Sequence, residues 1–321
     1  MLEAALDADA GDEQRGLDGE TLSLEKEVAA LLGMPAALFF PTATMANQAA
    51  VVSHVNPGAE VLCHADSHIY RLEAGGLAAN AMAQVNILNG ARGMFTAEEL
   101  KSKLGSRPSH APVPGLLVME NTTNVGGGAA WPLEQWDAVL SVADAHALPV
   151  HLDGARLMNA SLAVGVSPRR LTQGARSVQL CFSKGLGCPA GAILAGSEEL
   201  LTVARRVRQR FGGAMRQPGY LAACARYALK HHVERLADDH ERARRFHAAL
   251  SLCAEVVVQP VETNMVYFRA ESRSAAVWQE DLHRRGLKVS RLHDWLRACF
   301  YVGLSASTPE KAAEVVNSSL R

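Results

Sequence analysis

Short apolar runs alternate with longer amphipathic or alanine-rich stretches from residue 36 to residue 195. Runs of four or five apolar residues predict strands, and the longer stretches between them predict helices. The seven predicted strands span residues 37–40, 60–63, 85–88, 115–119, 149–152, 178–182 and 192–195. This alternation is typical of βαβ units, so we expect an α/β fold with a mainly parallel seven-stranded sheet.

The pattern outside this region predicts further helices and a second, smaller domain. Residues 21–32 are helical in pattern with Thr21 as the cap, residues 44–55 follow a strand, and residues 200–211 form a basic helix. Residues 220–249 predict one long helix. Beyond it, predicted strands at 256–258, 265–268, 287–289 and 298–302 are interleaved with helices near 274–285 and 308–320. We therefore predict a large α/β domain over residues 1–235 and a C-terminal α+β domain over residues 236–321.

Charge and cysteine usage narrow the class of partner. The chain has 32 lysines and arginines against 33 aspartates and glutamates, so no overall field favours nucleic acid or an acidic membrane surface. No apolar stretch approaches the roughly 18 residues of a membrane span. The six cysteines show no metal-ligand spacing, and the N-terminus has no signal-sequence pattern. We expect a cytoplasmic protein with reduced thiols, no metal site and a small-molecule substrate.

One lysine stands just beyond the sixth predicted strand, ringed by small residues. The segment reads Ser183-Lys184-Gly185-Leu186-Gly187. A partly desolvated lysine has a lowered pKa and a nucleophilic amine, and the glycines leave room for a flat ligand. The alternative is a lysine that only caps the strand end.

A carboxylate ends the neighbouring predicted strand, in His151-Leu152-Asp153-Gly154-Ala155-Arg156. Ligands of open α/β sheets bind beyond the carboxyl ends of strands, so Asp153 and Lys184 would reach one crevice. A buried carboxylate facing the ring nitrogen of pyridoxal phosphate keeps that nitrogen protonated, and this cofactor also needs a lysine. A structural salt bridge between the two residues is the alternative.

Three further segments carry candidate binding groups. Residues 41–47 join a strand to a helix N-terminus, where the backbone N–H groups and the Thr44 hydroxyl would suit a phosphate, although a simple capping turn fits too. His68, in the segment 64–76, could stack on an aromatic cofactor or be a structural histidine. Arg216, in the glycine-rich turn 212–217, suits a phosphate across a subunit boundary or a surface ion pair.

Together these segments resemble the threonine aldolases of the β-eliminating lyase group, which have the fold-type I architecture of pyridoxal-phosphate-dependent aminotransferases. The resemblance covers nearly the whole chain in the right order. It rests on the phosphate loop at 41–47, His-Ile-x-x-x-Glu-Ala-Gly-Gly at 68–76, Glu-Asn-Thr at 120–122, Asp-Gly-Ala-Arg at 153–156, Ser-Lys-Gly-Leu-Gly at 183–187 and the turn at 212–217.

The resemblance implies a role for each matching residue. Lys184 would carry pyridoxal 5'-phosphate, Asp153 would pair with its ring nitrogen, and His68 would stack on the ring. The phosphate would be held by Ala43, Thr44 and a neighbouring subunit's Arg216, in a homodimer or homotetramer with shared sites. Arg156 and Arg297 would bind the carboxylate of the amino acid substrate.

Several positions depart from the family pattern. The chain starts at Met1-Leu2-Glu3-Ala4, where the family has a segment with a substrate-contacting serine. Ala43 and Gln209 replace a glycine and a lysine, and Tyr301 stands where a family histidine is expected. Thr123 stands where the family often carries a histidine proposed to help deprotonate the substrate hydroxyl, and we expect Thr123 to contact substrate.

The implied activity is cleavage of a β-hydroxy-α-amino acid, such as threonine or allo-threonine, to glycine and an aldehyde. With threonine at position 123, the base would be His68, His64 or an ordered water. Two alternatives are another pyridoxal-phosphate lyase that eliminates a β-substituent, and a catalytically weakened paralogue that serves as a binding or oligomer partner.

Overall fold

The computed structural model describes residues 1–320 and contains two sheets. The larger sheet has seven strands: β1 Ala36–Phe40, β2 Glu60–His64, β3 Gln84–Leu88, β4 Pro114–Glu120, β5 Val150–Gly154, β6 Ser177–Cys181 and β7 Ala192–Gly196. Their order is β1-β7-β6-β5-β4-β2-β3, and β7 runs antiparallel to the other six strands. The predicted mainly parallel seven-stranded sheet is therefore confirmed.

Fourteen α-helices lie within the described part of the chain and cover both sheets. Nine of them precede β7: α1 Leu2–Leu6, α2 Gly19–Leu32, α3 Ala43–His54, α4 His68–Arg71, α5 Gly76–Ala81, α6 Ala97–Leu104, α7 Leu133–Ala145, α8 Leu157–Val164 and α9 Pro168–Thr172. The other five are α10 Glu198–Arg210, α11 Gly219–His231, α12 Leu236–Leu250, α13 Ala275–Arg284 and α14 Thr308–Ser319.

The helix α3 lies across the face of the larger sheet and is central to the site. It begins just after β1, and the Oγ1 of its N-cap Thr42 accepts a hydrogen bond from the Met45 N–H at 3.2 Å. Residues 46–51 of this helix are all buried. Parallel strands place their carboxyl ends at one edge, and there Asn47 of α3 meets Asp153 near the end of β5.

The outer edge of β1 is closed by side chains. β1 pairs only with β7, which leaves one of its edges without a strand neighbour. On that side the Phe39 N–H donates to Glu25 Oε1 at 2.8 Å, and Arg208 Nη1 donates to the Phe39 carbonyl oxygen at 2.6 Å. Both side chains are buried and come from helices α2 and α10. They satisfy backbone groups that a further strand would otherwise pair with.

The smaller sheet has four antiparallel strands in the order β10-β11-β9-β8. They are β8 Val256–Val258, β9 Met265–Ala270, β10 Ser290–Leu292 and β11 Trp295–Cys299. A core separate from that of the large sheet surrounds them, and its large side chains are Phe246, Phe268, Trp278 and Phe300. The boundary at residue 235 stays a prediction, because Leu236 packs in the large core while Ala243, Phe246 and Leu250 of the same helix α12 pack in the small one.

Four sequence expectations need correction. The helix predicted over 220–249 is two helices, α11 and α12, separated at residues 232–235. The cap of α2 is Asp18, whose Oδ1 accepts from the Thr21 N–H at 2.9 Å. The strands predicted at 287–289 and 298–302 lie instead at β10 and β11, because a two-residue turn with His293 at positive φ joins them. Among residues 1–320, no helix has the length and apolarity to cross a membrane.

Candidate active site

Asp153 and Lys184 come from adjacent parallel strands. Asp153 lies near the end of β5, opposite Gln179 of β6, and Lys184 follows β6 by three residues. Asp153 is buried, and its carboxylate accepts hydrogen bonds from Asn47 Nδ2 at 2.8 Å and from the Ala155 N–H at 3.1 Å. Both residues are thus delivered to the carboxyl edge of the sheet, as the strand pattern predicted.

Lys184 is held in a form suited to covalent chemistry. Burial lowers the pKa of its amine, and the positive charge of Arg156 lowers it further. The Asp153 carboxylate is engaged by Asn47 and by the Ala155 N–H, and among residues 1–320 no salt bridge within 4.0 Å joins it to Lys184. A lowered pKa increases the neutral fraction of the amine, which is the nucleophilic form.

His68 opens α4 and faces a buried carboxylate. Its Nδ1 is 2.9 Å from Glu73 Oε1, and the Glu73 side chain is completely buried. Burial alone would lower the pKa of His68, but the hydrogen bond to Glu73 and the negative charges of Asp153 and Glu73 raise it. The imidazole keeps Nε2 directed away from Glu73, and its side chain is about one-quarter exposed.

Asn47, on the second turn of α3, joins Asp153 to Glu73. Its Nδ2 donates to Asp153 Oδ2 at 2.8 Å and to Glu73 Oε1 at 2.9 Å. Gln48 Nε2 donates to the other Glu73 oxygen at 2.6 Å. The ligand atoms of His68, Glu73 and Asp153 lie within 4.8 Å of one another, which is the spacing of a metal cluster, but the Asn47 amide already bridges the two carboxylates.

Glu120, at the end of β4, links His68 to the loop that follows this strand. Its two carboxylate oxygens accept from the His68 N–H at 2.6 Å and from the Asn124 N–H at 2.5 Å. Burial raises the pKa of Glu120 to about 7, and the negative charge of Asp153 contributes to that rise. The backbone at Asn124 is therefore tied to the backbone at His68.

The two arginines expected at the substrate carboxylate meet at one side chain. Arg297 Nη1 donates to Asn124 Oδ1 at 2.7 Å, and Arg156 Nη1 approaches the same oxygen at 3.4 Å. The Tyr267 hydroxyl donates to the Asn124 carbonyl oxygen at 2.8 Å. The structure thus brings the predicted Arg156 and Arg297 together, although Arg156 lies between β5 and α8 and Arg297 lies in β11 of the smaller sheet.

The remaining predicted residues have varied surroundings. Ala43 and Thr44 form the first turn of α3, one turn from Asn47, and Thr44 is exposed. Thr123 is buried, and its hydroxyl donates to the Arg92 carbonyl oxygen at 2.9 Å. Arg216 is exposed and donates to Asp12 Oδ2 at 2.9 Å. The assigned roles of these four residues stay predictions.

Asn47, Glu73, Glu120 and Asn124 were not identified as site residues from the sequence. Asn47, Glu73 and Glu120 stand inside motifs that the sequence singled out, and Asn124 follows the Glu-Asn-Thr motif by two residues, so the segments were found but the roles were not. Asn47 and Asp153 are 106 positions apart in the chain. A contact of that range is set by how α3 packs on β5, which local pattern does not reveal.

Comparison with known proteins places this chain in a family. The sequence profile described as Beta-eliminating lyase matches residues 1–272. The low-specificity L-threonine aldolase 1 of Arabidopsis thaliana is 34% identical over 300 residues, covering 91% of this chain and 84% of that protein. The low specificity L-threonine aldolase of Escherichia coli K12 is 35% identical over 291 residues, with coverages of 90% and 86%.

Solved structures agree on the fold. A threonine aldolase of Leishmania major superposes with a TM-score of 0.84 at 20% identity, covering 100% of this chain and 94% of that one. A serine palmitoyltransferase of Sphingomonas wittichii gives a TM-score of 0.77 at 20% identity, with coverages of 99% and 82%. The fold is therefore that of the fold-type I enzymes. The profile matches most of this chain, and the two relatives are more than 30% identical to it. The chain therefore belongs to the β-eliminating lyase family.

Proposed function

We propose that this protein is a pyridoxal-phosphate-dependent aldolase that cleaves a β-hydroxy-α-amino acid, threonine or allo-threonine, into glycine and an aldehyde. The observation that carries the proposal is the placement of Asp153, Lys184 and His68 around one sheet edge, beside two converging arginines. Relatives named as L-threonine aldolases at 34% and 35% identity support it.

The residues at this edge fit pyridoxal 5'-phosphate. Lys184 has a lowered pKa, Asp153 presents a buried carboxylate, and the first turn of α3 has N–H groups free of intrahelical partners at Ala43 and Thr44. Lys184 would hold the cofactor covalently, and Asp153 would keep the proton on its ring nitrogen. The bound cofactor would supply an electron sink for the pair of electrons left on Cα when the Cα–Cβ bond breaks.

Arg156 and Arg297 would orient the substrate. A carboxylate offers two oxygens to two guanidinium groups, and such charge-assisted hydrogen bonds are short and directional. Because the two arginines already converge on Asn124 Oδ1, little rearrangement is needed to bring both onto a carboxylate.

We assign the base to His68 in preference to His64. Both ring nitrogens of His64 are engaged, Nε2 with the Gly90 carbonyl oxygen at 3.1 Å and Nδ1 with the Asp66 N–H at 2.9 Å. His68 uses only Nδ1, on Glu73. Its Nε2 is therefore the available atom to take the proton of the substrate hydroxyl, directly or through a water.

The assembly and setting are also proposals. A homodimer or homotetramer is supported by Arg216, which is 60% exposed on its side chain and free to reach a neighbouring subunit beyond its contact with Asp12. A cytoplasmic setting is supported by the six cysteines, all free thiols. In such a setting the protein would act in amino acid metabolism, in threonine breakdown and glycine formation.

The test is Lys184→Ala, with Lys230→Ala on the exposed face of α11 as the matched control. The purified wild type and the control should bind pyridoxal phosphate with a visible absorption band that borohydride removes. They should also convert L-threonine into equal amounts of glycine and acetaldehyde. Lys184→Ala should lose both properties. Release of ammonia and a keto acid from threonine, with no glycine, would instead identify an eliminating lyase and refute the proposal.

A further inference from the structure

A chain of buried polar groups runs beneath α3 and ends on the amide that holds Asp153. His54 Nε2 lies 2.7 Å from Ser177 Oγ, which lies 2.8 Å from His151 Nδ1. His151 Nε2 lies 3.1 Å from Asn47 Oδ1. Ser177, His151 and Asn47 are at most 1% exposed. None of the three groups before Asn47 is used in the aldol cleavage proposed above.

The donor and acceptor capacities of these four side chains fix the direction of each hydrogen bond between them. Both Asn47 N–H groups go to carboxylates, on Asp153 and Glu73, so the atom facing His151 is an acceptor and His151 Nε2 must carry the hydrogen. The lone pair of a neutral His151 is then on Nδ1, which must accept from the Ser177 hydroxyl. Ser177 Oγ in turn accepts from His54 Nε2–H. All hydrogens therefore point toward the cofactor edge.

Both histidines are neutral, as this arrangement requires. Burial lowers the pKa of His151 to about 4 and that of His54 to about 3. The positive charge of Arg176 further lowers the pKa of His54, while the Asp153 carboxylate opposes the shift at His151. If every hydrogen bond in this series ran in the opposite direction, the Asn47 oxygen would face the Asp153 and Glu73 carboxylates. Three hydrogen-bond acceptors would then lie together with no donor between them.

We propose that His54, Ser177 and His151 orient the Asn47 amide, and that Asn47 is a positioning residue that sets Asp153 and the Glu73–His68 pair at a fixed spacing. This assignment rests on the proposed function for the roles of Asp153 and His68. If the cofactor binds as proposed, Asp153 would hold the proton on its ring nitrogen and His68 would act beside the same ring, so one amide would fix the spacing of both groups. The amide can do so only with its nitrogen toward both carboxylates.

The first test uses Ser177→Ala, read by the ¹⁵N shifts of the His151 ring in the full chain before cofactor or substrate is added. In the wild type we expect His151 Nε2 protonated and Nδ1 unprotonated. Without the hydroxyl, only the Asn47 oxygen still favours the Nε2–H form, so a measurable share of the Nδ1–H tautomer is expected beside it. An unchanged His151 tautomer in Ser177→Ala would overturn the orienting role.

The second test uses turnover and a milder pair at the half-buried end of the chain. Ser177→Ala should lower kcat for threonine at least about tenfold, since small misplacements of catalytic groups are costly, while KM changes less than about twofold because the arginines are untouched. His54→Gln keeps a donor toward Ser177 and should retain kcat, whereas His54→Leu should lose several-fold. Equal kcat in the two His54 variants would refute the orienting role of the hydrogen bonds from His54 to Asn47, even if Ser177→Ala fails to fold.

The two readouts separate this proposal from the proposed function. Suppose that the His151 tautomer changes in Ser177→Ala but the wild-type protein does not cleave threonine. The proposal that these hydrogen bonds orient Asn47 would then be supported, and only the proposed aldolase activity would be contradicted. A protein that cleaves threonine equally well with and without the Ser177 hydroxyl would contradict the orienting chain and leave the aldolase standing.

Discussion

Arg297 Nη1 donates to Asn124 Oδ1 at 2.7 Å, which joins the smaller sheet to the loop after β4. Arg156, just before α8, approaches the same oxygen at 3.4 Å. One neutral amide oxygen thus receives two guanidinium groups from separate parts of the fold. A substrate carboxylate is a stronger acceptor than this amide, so it can replace Asn124 without moving either arginine far.

Arg297→Leu should raise KM for threonine at least about tenfold, because a charge-assisted hydrogen bond to the carboxylate contributes about 1.5–3 kcal/mol. The visible spectrum of the bound cofactor should not change, since its own contacts lie elsewhere. Steady-state kinetics beside the control Arg291→Leu, an exposed arginine of β10, would measure this. A normal KM in Arg297→Leu would leave Arg156 to bind the carboxylate alone.

Asp153→Asn should keep the fold and lower kcat at least about a hundredfold, on the order of 3 kcal/mol, because a neutral amide cannot hold the proton on the ring nitrogen. The new amide would also set an N–H against the donors Asn47 Nδ2 or Ala155 N. Asp144→Asn, on the exposed face of α7, removes the same charge away from the site and serves as the control. Wild-type turnover in Asp153→Asn would mean that Asp153 is only structural.

The acidic limb of the pH profile should depend on Glu73. Glu73 and Asp153 raise the pKa of His68 above 6.5, and only neutral His68 can accept a proton, so kcat/KM should fall as the pH drops through a value above 6.5. Glu73→Gln removes one of the charges that raise this pKa and should move the limb to lower pH. Asp66→Asn, a nearby charge that does not contact the His68 ring, should leave the limb in place. An unmoved limb in Glu73→Gln would exclude His68 as the base.

Glu25 should make the protein less stable as the pH rises. Burial raises its pKa from 4.5 to about 7, although the hydrogen bond from the Phe39 N–H opposes the shift. The folded state therefore binds the proton more tightly than the unfolded state. The contribution of Glu25 to the free energy of unfolding is fully present below pH 4.5. It is lost as the pH rises to about 7, a change of about 3 kcal/mol.

Urea unfolding of Glu25→Gln at pH 5 and pH 8 measures this effect. The free energy of unfolding of the variant minus that of wild type should be larger at pH 8 than at pH 5. The reason is that only the wild type has to bury a charged side chain at pH 8. Glu134→Gln, an exposed glutamate of α7, should change the free energy of unfolding equally at both values. If Glu25→Gln differed from wild type by the same free energy of unfolding at both pH values, the pKa of Glu25 would not be raised.

The sequence was most informative where periodicity alone decides the outcome. All seven strands of the larger sheet could be placed, because a short run rich in apolar residues between turn segments indicates a strand. The strand-end rule then brought Asp153 and Lys184 together. The antiparallel direction of β7 left no mark in its own residues, since an antiparallel strand buried on both faces has the same apolar pattern.

The errors arose where tertiary packing decides the outcome. The break between α11 and α12 contains no proline or glycine, and His232 lies there with its Nδ1 2.7 Å from the Leu186 carbonyl oxygen, beside the lysine loop. Likewise, Asn47 and Glu73 gain their roles only when α3 packs over β5 and against the loop after α4. Propensity within a short window carries no information on such contacts.

The closed edge of β1 also bears on how this chain behaves at high concentration. An unpaired strand edge can recruit the edge of another molecule and begin a continuous intermolecular sheet. At β1 that route is blocked, because Glu25 and Arg208 already occupy the N–H and the carbonyl of Phe39. The opposite border, β3, has no such side-chain closure among the hydrogen bonds of residues 1–320, so of the two borders of the larger sheet β3 is the one open to pairing with another molecule.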